Sequence, residues 1–594
     1  MPNPTLLAFA LLLAVPAAAQ LNPPVVLKGT APSGDVRSMP STHNSMASLG
    51  DGSIVVLLYR QTSSTTGGHL ALAVSTGNAQ TWNAFYPLPH NTAHQLHDPD
   101  SGVLCAGREC NIVHVVWADR SLDATYHSAF YQAFDTTTRT WVGQPLLLAA
   151  ADPTKLQRIY THDITVTPRG SLAVAVGVGA NGGLGMGAWD SALVVRPAGA
   201  TAFGAPQPMR SGGAAWSRNA SIVAVDEVVH CAFKNSWGAG GICYRSFDAS
   251  SSTWRETAHV PVGPGNNGTS QTQGINAGHN AVITADTRGG RYILYVTGSA
   301  GGIASNNKMR MAYAAPGNGS KNADWQDLEV LAHDTRLGMN PRGVTNPDPA
   351  YPLLQGGDTE YFNYTVSAGY QGSLIVVYSK AHEDFQNKYI QVWQYGVNLP
   401  IPTKEISFWP DTEPYMFERL VSMRSTGSVG QAAWLVYGKN DKPSPGQAPN
   451  GQVRLWLVTP STGRTVSFGT GCLGSHGQVP KLHADDQFAQ IGNPYYVECE
   501  RFPILANFIM ALGTKCQPLD LGAIGAPGCT LEIDFPVLAP LQVDVTGYLK
   551  LTWNVPNDVS LIDRYFFSQA FVRDPRGNSA GAITSNALRT VISL

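Results

Sequence analysis

Two stretches of this 594-residue chain share a pattern that is too long to be casual. YQAFDTTTRTW (131–141) and YRSFDASSSTW (244–254) both read as a strand, a polar turn headed by Asp, and a second strand that opens with Thr-Trp. Looser versions occur at 72–82, 194–203, 311–325, 392–408 and 455–468. Because a local pattern that recurs along a chain is typical of repeat architectures, the sequence predicts seven similar units.

A second hairpin precedes each of these turns. It is polar at its entry and apolar at its exit, as in THNSMASLGDGSIVVLLYR (42–60) and THDITVTPRGSLAVAVGV (161–178). Two hairpins give four strands per unit, and repeated four-stranded units are typical of a β-propeller. A sandwich could also be built from such strands, but the matched Thr-Trp turns favour the propeller. The predicted fold is all-β, with a seven-bladed β-propeller.

Composition agrees with an all-β fold. Charged residues make up 13% of the chain, and 61 Gly and 40 Pro favour turns over the charged surfaces of helices. The net charge of −2 provides no global field that would attract nucleic acid or a membrane surface, so any anion-binding site has to be local.

The first twenty residues, MPNPTLLAFALLLAVPAAAQ, have the features of a cleaved secretory signal, because an apolar run is followed by a small-residue site. No later stretch is apolar over the roughly 18 residues that a membrane span needs. We therefore expect bacterial export, with the mature protein secreted or held at the cell surface, and a monomer.

Eight cysteines in an exported chain favour disulfides over metal thiolates. Cys105 and Cys110 are close in sequence and are expected to pair locally, as are Cys231 and Cys243 on adjacent strand candidates. The pairing of the other four stays open; they lie beyond residue 470 and are Cys472, Cys499, Cys516 and Cys529.

The chain changes character at about residue 468, where the repeat ends. Residues 468–594 contain four Cys and short strands punctuated by Gly and Pro, which predicts a small disulfide-braced β-sandwich. The predicted organisation is a signal peptide over 1–20, a propeller over 21–467 and the sandwich over 468–594. Glycan binding, surface retention and a purely stabilising role are all open for this C-terminal unit.

The Thr-Trp turns resemble the Asp-box (S-x-D-x-G-x-T-W) of sialidase-type BNR propellers, with one extra residue in SFDASSSTW and no Asp in STGNAQTW. In that family the turn joins the third and fourth strands of a blade on the face away from the ligand, so the turns mark the fold and not the site. Because strands alternate in direction, the resemblance implies that innermost strands begin, and second strands end, at the opposite face. We call that face the mouth.

The positions that this rule assigns to the mouth are strongly polar. Four innermost strands begin with His, from a total of 15 His in the chain. Imidazole transfers protons near neutral pH, and Arg and Lys hold anions, although Asn and Asp of such pairs also commonly cap strand entries by bonding loop backbone. The predicted mouth residues are His43, Asn44, His97, Asp98, His162, Asp163, Arg218, Asn219, His279, Asn280, Tyr361, Asn363 and Glu418 from innermost strands, and Arg60, Arg120, Lys234, Lys380 and Lys439 from second strands.

A second resemblance comes from residues 42–52. Thr42-His43-Asn44 stands where a sialidase has the R-I-P triplet, whose Arg grips the sialate carboxylate. H-N-S-x-A followed by a D-G turn looks more like the BNR-4 type propellers, a group that includes ulvan lyases. This resemblance implies that His43 corresponds to a His that serves in β-elimination at a uronic acid, with Asn44 as its neighbour. It covers residues 30–470 loosely.

The C-terminal unit is similar to modules appended to exported proteins of planctomycete-like bacteria, through Gly471-Cys472 and Pro527-Gly528-Cys529.

Elimination beside a carboxylate requires a cation that neutralises it, a base that removes the α-proton and an acid for the leaving oxygen. The predicted substrate is therefore an anionic polysaccharide or oligosaccharide, and the predicted enzyme a polysaccharide lyase. The roles assigned are neutralisation by Arg60 or Arg120 with Asn44, proton abstraction by His43 or His162, protonation by Tyr160 or Tyr361, and substrate binding by His97, Arg218 and His279.

Two other functions stay open. A sialidase-like glycoside hydrolase needs two carboxyl groups, or a Tyr nucleophile supported by Glu. A propeller that binds glycans without turning them over is the third interpretation. No cofactor is predicted and no H-E-x-x-H spacing occurs, yet ligands from different blades leave a divalent metal open. The carboxylates near predicted mouth positions are Asp98, Asp163, Glu360, Glu383, Asp384 and Glu418.

Overall fold

The computed structural model describes most strands of the chain and little of the long loops. The described residues are 25–27, 35–38, 45–63, 67–76, 81–89, 96–120, 127–149, 157–180, 189–211, 217–235, 242–262, 281–286, 288–297, 308–328, 364–368, 374–381, 388–395, 402–408, 416–421, 433–441, 450–458, 464–469, 471–484, 489–561 and 564–592. Their helical elements are three single 3₁₀ turns, Asn322–Asp324, Gly522–Ile524 and Val559–Leu561. None of these helices is long and apolar enough to cross a membrane.

Seven antiparallel sheets, called blades I to VII in chain order, precede the C-terminal unit. The first strand of the chain, β1 (Val25–Leu27), belongs to blade VII. Blade I contains β2 (Asp35–Ser38), β3 (Met46–Ser48), β4 (Ile54–Ser63), β5 (Gly67–Thr76) and β6 (Thr81–Pro87). Blade II contains β7 (Leu96–Ala106), β8 (Ile112–Arg120), β9 (His127–Asp135) and β10 (Thr140–Ala149), and blade III contains β11 (Gln157–Val166), β12 (Leu172–Ala180), β13 (Trp189–Arg196) and β14 (Gln207–Pro208).

Blades IV to VII repeat this order. Blade IV contains β15 (Ser217–Val225), β16 (Val228–Asn235), β17 (Ile242–Asp248), β18 (Thr253–Trp254) and β19 (Val260–Pro261), and blade V contains β20 (Val282–Ala285), β21 (Arg291–Thr297), β22 (Lys308–Ala314) and β23 (Gln326–Leu328). Blade VI contains β24 (Tyr364–Ala368), β25 (Leu374–Ala381), β26 (Lys388–Tyr395) and β27 (Pro402–Phe408). Blade VII contains β28 (Met416–Val421), β29 (Ala433–Asp441) and β30 (Asn450–Val458) together with β1.

The first strands of successive blades contact one another, β7 with β11, β11 with β15, β15 with β20 and β20 with β24. The first strand of each of these blades is therefore the innermost. Apolar side chains from facing blades fill the space between them, as where Val174 and Val176 of blade III pack with Val116 and Tyr131 of blade II. The all-β propeller prediction is confirmed, and seven sheets are what seven blades require, the blade count itself staying a prediction.

The ring is closed by the N-terminal strand. β1 pairs antiparallel with β30 and supplies the outermost strand of blade VII. The seventh strand-turn-strand unit expected over 455–468 is therefore wrong, because the chain after β30 leaves the blade. The next strand, β31 (Arg464–Phe468), pairs instead with the last strand of the C-terminal sheet, although it lies within the predicted propeller range 21–467.

The two best-matched turns have the same geometry, because the same side chains satisfy their backbones. The Asp135 carboxylate accepts hydrogen bonds from the N–H groups of Thr137 and Thr138, and Asp248 accepts those of Ser250 and Ser251. In each turn the residue before Thr-Trp has a positive φ, 59° at Arg139 and 57° at Ser252. The Trp that follows packs on an aromatic ring of the preceding strand, as predicted for turns that serve the fold.

The C-terminal unit is a sandwich built on one core. Its layers are a five-stranded and a three-stranded sheet, which share buried residues such as Tyr495, Val497, Phe508 and Val572. Its strands after β31 are β32 (Lys481–Ala484), β33 (Pro494–Glu500), β34 (Asn507–Gly513), β35 (Cys516–Asp520), β36 (Thr530–Ile533), β37 (Val537–Gln542), β38 (Leu549–Asn554), β39 (Tyr565–Arg573) and β40 (Ala582–Val591).

Two disulfides brace this unit. Cys472 is bonded to Cys529 within it, and Cys110 of blade II is bonded to Cys516 across 406 residues of sequence. The expected local pair Cys105–Cys110 is therefore wrong. Cys231 is a buried free thiol, so the expected Cys231–Cys243 bond is wrong too. In the register, Cys231 faces Arg245 and Cys243 faces Phe233, so adjacent strands do not bring the two sulfurs opposite each other.

The sandwich is docked on the turns that join first and second strands, at the end of the blades opposite the predicted mouth. The Arg108 guanidinium of blade II donates to the carbonyl of Gly528 at 2.6 Å. Arg501 pairs with Asp226 in the turn of blade IV. Phe468 is buried with Cys110 in a small apolar cluster between the two units. Docking on this face leaves the mouth uncovered by the sandwich.

Candidate functional site

The innermost strands of blades II to IV leave regular pairing near their first residues, and in blade I two short strands, β2 and β3, pair with β4 in succession. In blade I, Ser38 pairs with Leu58 and Met46 with Val56. In blade II regular pairing stops at His97–Asp119 and resumes at Gly102–Trp117, and in blade III it stops at Thr161–Val176 and resumes at Asp163–Ala175. In blade IV it stops at Arg218–Lys234 and resumes at Ser221–Ala232. In blades II, III and IV the polar pairs His97-Asp98, His162-Asp163 and Arg218-Asn219 lie at or within these irregularities. A bulge interrupts the alternation of side chains and re-aims one of them.

Blade III shows the consequence at His162, the extra residue of its bulge. Tyr160 lies directly opposite Gly177 on β12, and directly opposite residues point to the same face of a sheet. A Cβ at Gly177 would collide with Nε2 of His162. The imidazole therefore occupies the space that Gly177 leaves beside Tyr160, and both side chains are partly exposed. A phenol and an imidazole thus share one face of an innermost strand.

Asp163, the partner of His162 in the sequence, has a structural role. Its side chain is buried, with Oδ1 accepting from the N–H of Ile164, and Oδ2 accepting from Ile222 at 2.6 Å and from the Ser221 hydroxyl at 2.9 Å. The Ser221 hydroxyl in turn accepts from the N–H of Ile283 in blade V. Asp163 therefore ties three innermost strands together, as strand-capping Asp residues were expected to do.

His97, which was predicted to bind substrate, lies buried where blades I and II meet. Its ring is fully buried, and Nδ1 accepts a hydrogen bond from the N–H of Leu70 at 2.8 Å. Nε2 faces the buried Asp119 carboxylate at 3.5 Å. A ring without exposed surface, held by blade I backbone on one side and a carboxylate on the other, fixes the junction of blades I and II.

The sequence-based rule missed His69. It is the third residue of β5, the third strand of blade I, and lies directly opposite Arg60 in the register. Its partly exposed ring lies 6.0 Å from that of His97, measured between centroids. Third strands start at the same end of the blade at which second strands finish. Including third-strand starts in the rule would have found His69, and likewise His127, which pairs with Arg120.

Two further imidazoles lie in the blades themselves. Nδ1 of His114 pairs with the hydroxyl of Tyr131 at 2.8 Å, and Nδ1 of His230 pairs with that of Tyr244 at 2.5 Å. Burial, helped by the Arg196 guanidinium, lowers the pKa of His114 to about 3. Burial likewise lowers the pKa of His230 well below its usual value. Both rings lie inside the blades, where burial favours their neutral form and each is bonded to a tyrosine hydroxyl of the neighbouring strand.

The remaining predicted residues are only partly covered. Register places the backbones of Arg60, Arg120 and Arg218 at the same end of their blades as His97 and His162. Lys234 is buried opposite Arg218. Predicted residues that lie outside the described part of the chain are His43, Asn44, His279, Asn280, Glu360, Tyr361, Asn363, Glu383 and Asp384.

Metal ligands do not gather at the mouth in the part of the chain that the structure describes. There, the group of His and carboxylate side chains close enough to share an ion is His483, Glu498 and Glu500 in the C-terminal unit.

Several solved structures with a similar chain path are carbohydrate-active enzymes. An ulvan lyase of polysaccharide lyase family PL25 aligns with a TM-score of 0.44 and 10% identity over 74% of this chain and 95% of that chain. The GH93 α-L-arabinofuranosidase of Fusarium graminearum aligns with a TM-score of 0.35 and 9% identity over 71% and 97% of the two chains. An α-L-arabinanase of Penicillium chrysogenum has a TM-score of 0.32 and 11% identity over 71% and 98%. No protein-family model and no curated protein sequence matches this chain.

Proposed function

We propose that this protein is a secreted carbohydrate-active enzyme that cleaves an anionic polysaccharide by β-elimination at a uronic acid. The observation that carries the proposal is the pairing of Tyr160 and His162 on one face of β11, beside the side-chain space left by Gly177. An imidazole and a phenol supply the two proton transfers that elimination requires.

In the proposed reaction His162 removes the proton on the carbon next to the carboxylate. The electron pair of that C–H bond forms a carbon–carbon double bond, the bond to the glycosidic oxygen breaks, and that oxygen takes a proton from Tyr160. Arg60 and Arg120, whose backbones lie at this end of blades I and II, are the candidates for neutralising the carboxylate. The family resemblance suggests His43 as the alternative base, and its predicted position at the mouth makes Tyr361 the alternative acid.

One observation weighs against hydrolysis. Of the carboxylates named for a hydrolase, Asp163 is the one whose side chain the structure describes. It is buried and accepts hydrogen bonds from the N–H groups of Ile164 and Ile222 and from the Ser221 hydroxyl. A buried carboxylate engaged in this way cannot serve as one of the two carboxyl groups that glycoside hydrolysis requires.

The test is to incubate the purified protein with uronate-containing and sialylated polysaccharides and record product absorbance and mass. A lyase releases an unsaturated sugar that absorbs in the near ultraviolet. We expect His162→Ala and Tyr160→Phe to lower this activity by roughly 10²-fold or more. The matched controls, His476→Ala and Tyr496→Phe in the C-terminal unit, should retain wild-type activity.

Three outcomes would contradict the proposal. Saturated products would indicate a hydrolase, and glycan binding without turnover would indicate a binding protein. Full activity in folded His162→Ala, and in the double variant that also carries His43→Ala, would remove both bases from the mechanism.

A further inference from the structure

One face of the three-stranded sheet carries a polar cluster that the mouth does not use. His483 on β32 pairs in register with Glu498 on β33, Lys481 pairs with Glu500, and Glu498 pairs with Lys550 on β38. Directly opposite residues point to the same face. The intervening residues, Leu482 and Cys499, belong to the sandwich core. The sheet therefore has one apolar face and one face on which titratable groups are concentrated.

Three of these groups are buried and close together. His483, Glu498 and Glu500 are 0%, 2% and 6% exposed, and one potential ligand atom from each lies within 4.8 Å of the others. Two carboxylates at this distance repel each other, and burial increases the cost unless a positive charge lies between them.

The cations next to these carboxylates lie on the outside. Lys550 Nζ is 3.4 Å from Oε1 of Glu498, and the Arg288 guanidinium of blade V is 3.4 Å from Oε1 of Glu500. These two cationic side chains are 39% and 49% exposed. The other oxygens, Oε2 of Glu498 and of Glu500, are buried and make no hydrogen bond within the described residues. Nε2 of His483 faces Oε2 of Glu500 at 3.4 Å.

We propose that His483, Glu498 and Glu500 bind a divalent metal ion, with Zn²⁺ as the preferred ion. One imidazole nitrogen and two carboxylate oxygens are ligands that zinc accepts, and imidazole disfavours Mg²⁺ and Ca²⁺. Around a tetrahedral zinc with bonds of about 2.1 Å the ligand atoms are roughly 3.4 Å apart. The pair His483–Glu500 already has this spacing, and Glu498 has to approach by about 1 Å.

Other charges around the cluster are compatible with an ion. Lys481 faces Glu500 in the register. Arg501 pairs with Asp226 and Tyr548 lies beside Glu498.

The site lies where the sandwich meets the propeller, because Glu500 contacts both His483 of its own unit and Arg288 of blade V. A bound ion would fix the Glu500 carboxylate and thereby stabilise the docked arrangement. The proposal is independent of the chemistry at the mouth.

The test is isothermal titration of untagged, full-length protein that has been stripped with a chelator, using ZnCl₂ and, separately, MgCl₂. We expect one Zn²⁺ per chain, a rise of several degrees in the melting temperature, and little response to Mg²⁺. His483→Gln should weaken zinc binding at least tenfold. His476→Gln, at an exposed His of the same unit, is the matched control and should bind as the wild type does.

Glu498→Gln is the second variant, and it keeps the proposal testable if His483→Gln unfolds the sandwich. A folded wild type that takes up no Zn²⁺ at one per chain would overturn the proposal. So would wild-type affinity in a folded His483→Gln or Glu498→Gln protein. Either result would leave the cluster as a buried polar group of the sheet with no bound ion.

Discussion

At the scale of single residues, a glycine decides whether the imidazole of His162 can stand beside Tyr160. Gly177 lies opposite Tyr160, and because it has no side chain, Nε2 of His162 occupies the position that a Cβ would take. The sequence offers a simple signal for this arrangement, a Gly inside an otherwise apolar second strand, which commonly marks a close approach.

We predict that Gly177→Ala lowers the proposed lyase activity by roughly 10- to 100-fold, because an added methyl group displaces the imidazole by about 1 Å from its working position. The measurement is the initial rate of product absorbance together with the melting temperature. Gly204→Ala is the matched control, since its Cβ would make an ordinary contact of 3.4 Å with the Val195 carbonyl. Equal rates for Gly177→Ala and the wild type would show that His162 is not the base.

A second residue-scale prediction concerns Glu532, which is 1% exposed near the turn of blade II. Burial, with a contribution from the Glu109 charge, raises its pKa from 4.5 to about 8. The folded state therefore holds a proton that the unfolded state releases, so the stabilising contribution is complete below pH 4.5 and is lost as the pH rises through 8.

Glu532→Gln removes this dependence because an amide has no proton to lose. We expect the free energy of unfolding of the wild type to fall between pH 5 and pH 8 by on the order of a few kcal/mol more than that of the variant. Urea unfolding of both proteins across this range measures the difference. Parallel pH profiles would mean that Glu532 titrates normally in the folded protein.

At the scale of elements, the hairpins with Asp-headed turns were predictable and the bulges were not. The turns are local, because Asp135 and Asp248 accept hydrogen bonds from N–H groups two and three residues further along the chain. The strands on either side can be recognised in the sequence by their apolar composition. A bulge depends on how many residues face each other across two strands, which the chain sets through long-range pairing. The sequence therefore located polar pairs at the mouth without separating His162 from the buried Asp163 and His97.

The same distinction explains the cysteines. Proximity in sequence suggested Cys105–Cys110, but Cys110 sits on a turn whose neighbour in space comes 406 residues later. The pairing of β1 with β30 in blade VII could not be predicted for the same reason, since no local sequence pattern in either strand indicates which strand it pairs with.

The turns themselves lead to a prediction. Burial alone would raise the pKa of Asp248, but hydrogen bonds from Ser250 and Ser251 and the Arg255 guanidinium lower it to about 2. Asp248→Ala should lower the free energy of unfolding by about 1 kcal/mol at neutral pH, and Asp135→Ala by a similar amount, because each removes the acceptor for two backbone N–H groups.

This loss is measured by denaturant unfolding, with activity as the second readout. In the wild type the contribution of Asp248 is present above its unfolded pKa of 3.8 and disappears as the pH falls through 2. Unchanged activity is expected because the turns lie at the end of the blades away from the mouth. A selective loss of activity without a loss of stability would place the turn in the site.

At the scale of the whole molecule, the sandwich is a docked unit and not a tethered one. A disulfide, a buried aromatic contact at Phe468 and ion pairs to blades IV and V hold it on the face away from the mouth. The composition of residues 468–594 indicated an independent module. It gave no indication of this docking, because the groups that form it are single residues in widely separated turns.

Opening the Cys110–Cys516 bond in the double variant Cys110→Ala, Cys516→Ala should lower the free energy of unfolding by roughly 2–5 kcal/mol, since the bond closes a very long loop. Differential scanning calorimetry under non-reducing conditions should show an earlier transition for the sandwich. Activity at the mouth should persist at temperatures below that transition. A melting profile identical to that of the wild type would mean that non-covalent contacts alone fix the docking.

The pairing of β1 with β30 has a consequence for the order of assembly. Val25, one of the earliest residues of the ring to be synthesised, finds its partner only when Leu455 is available, so blade VII cannot be completed until almost the whole propeller has been made. Contacts between residues this distant in sequence slow folding. Until β30 has been synthesised, the apolar strand β1 has no strand to pair with in blade VII. Any factor that accompanies the emerging polypeptide therefore has to shield that strand for nearly the entire duration of synthesis.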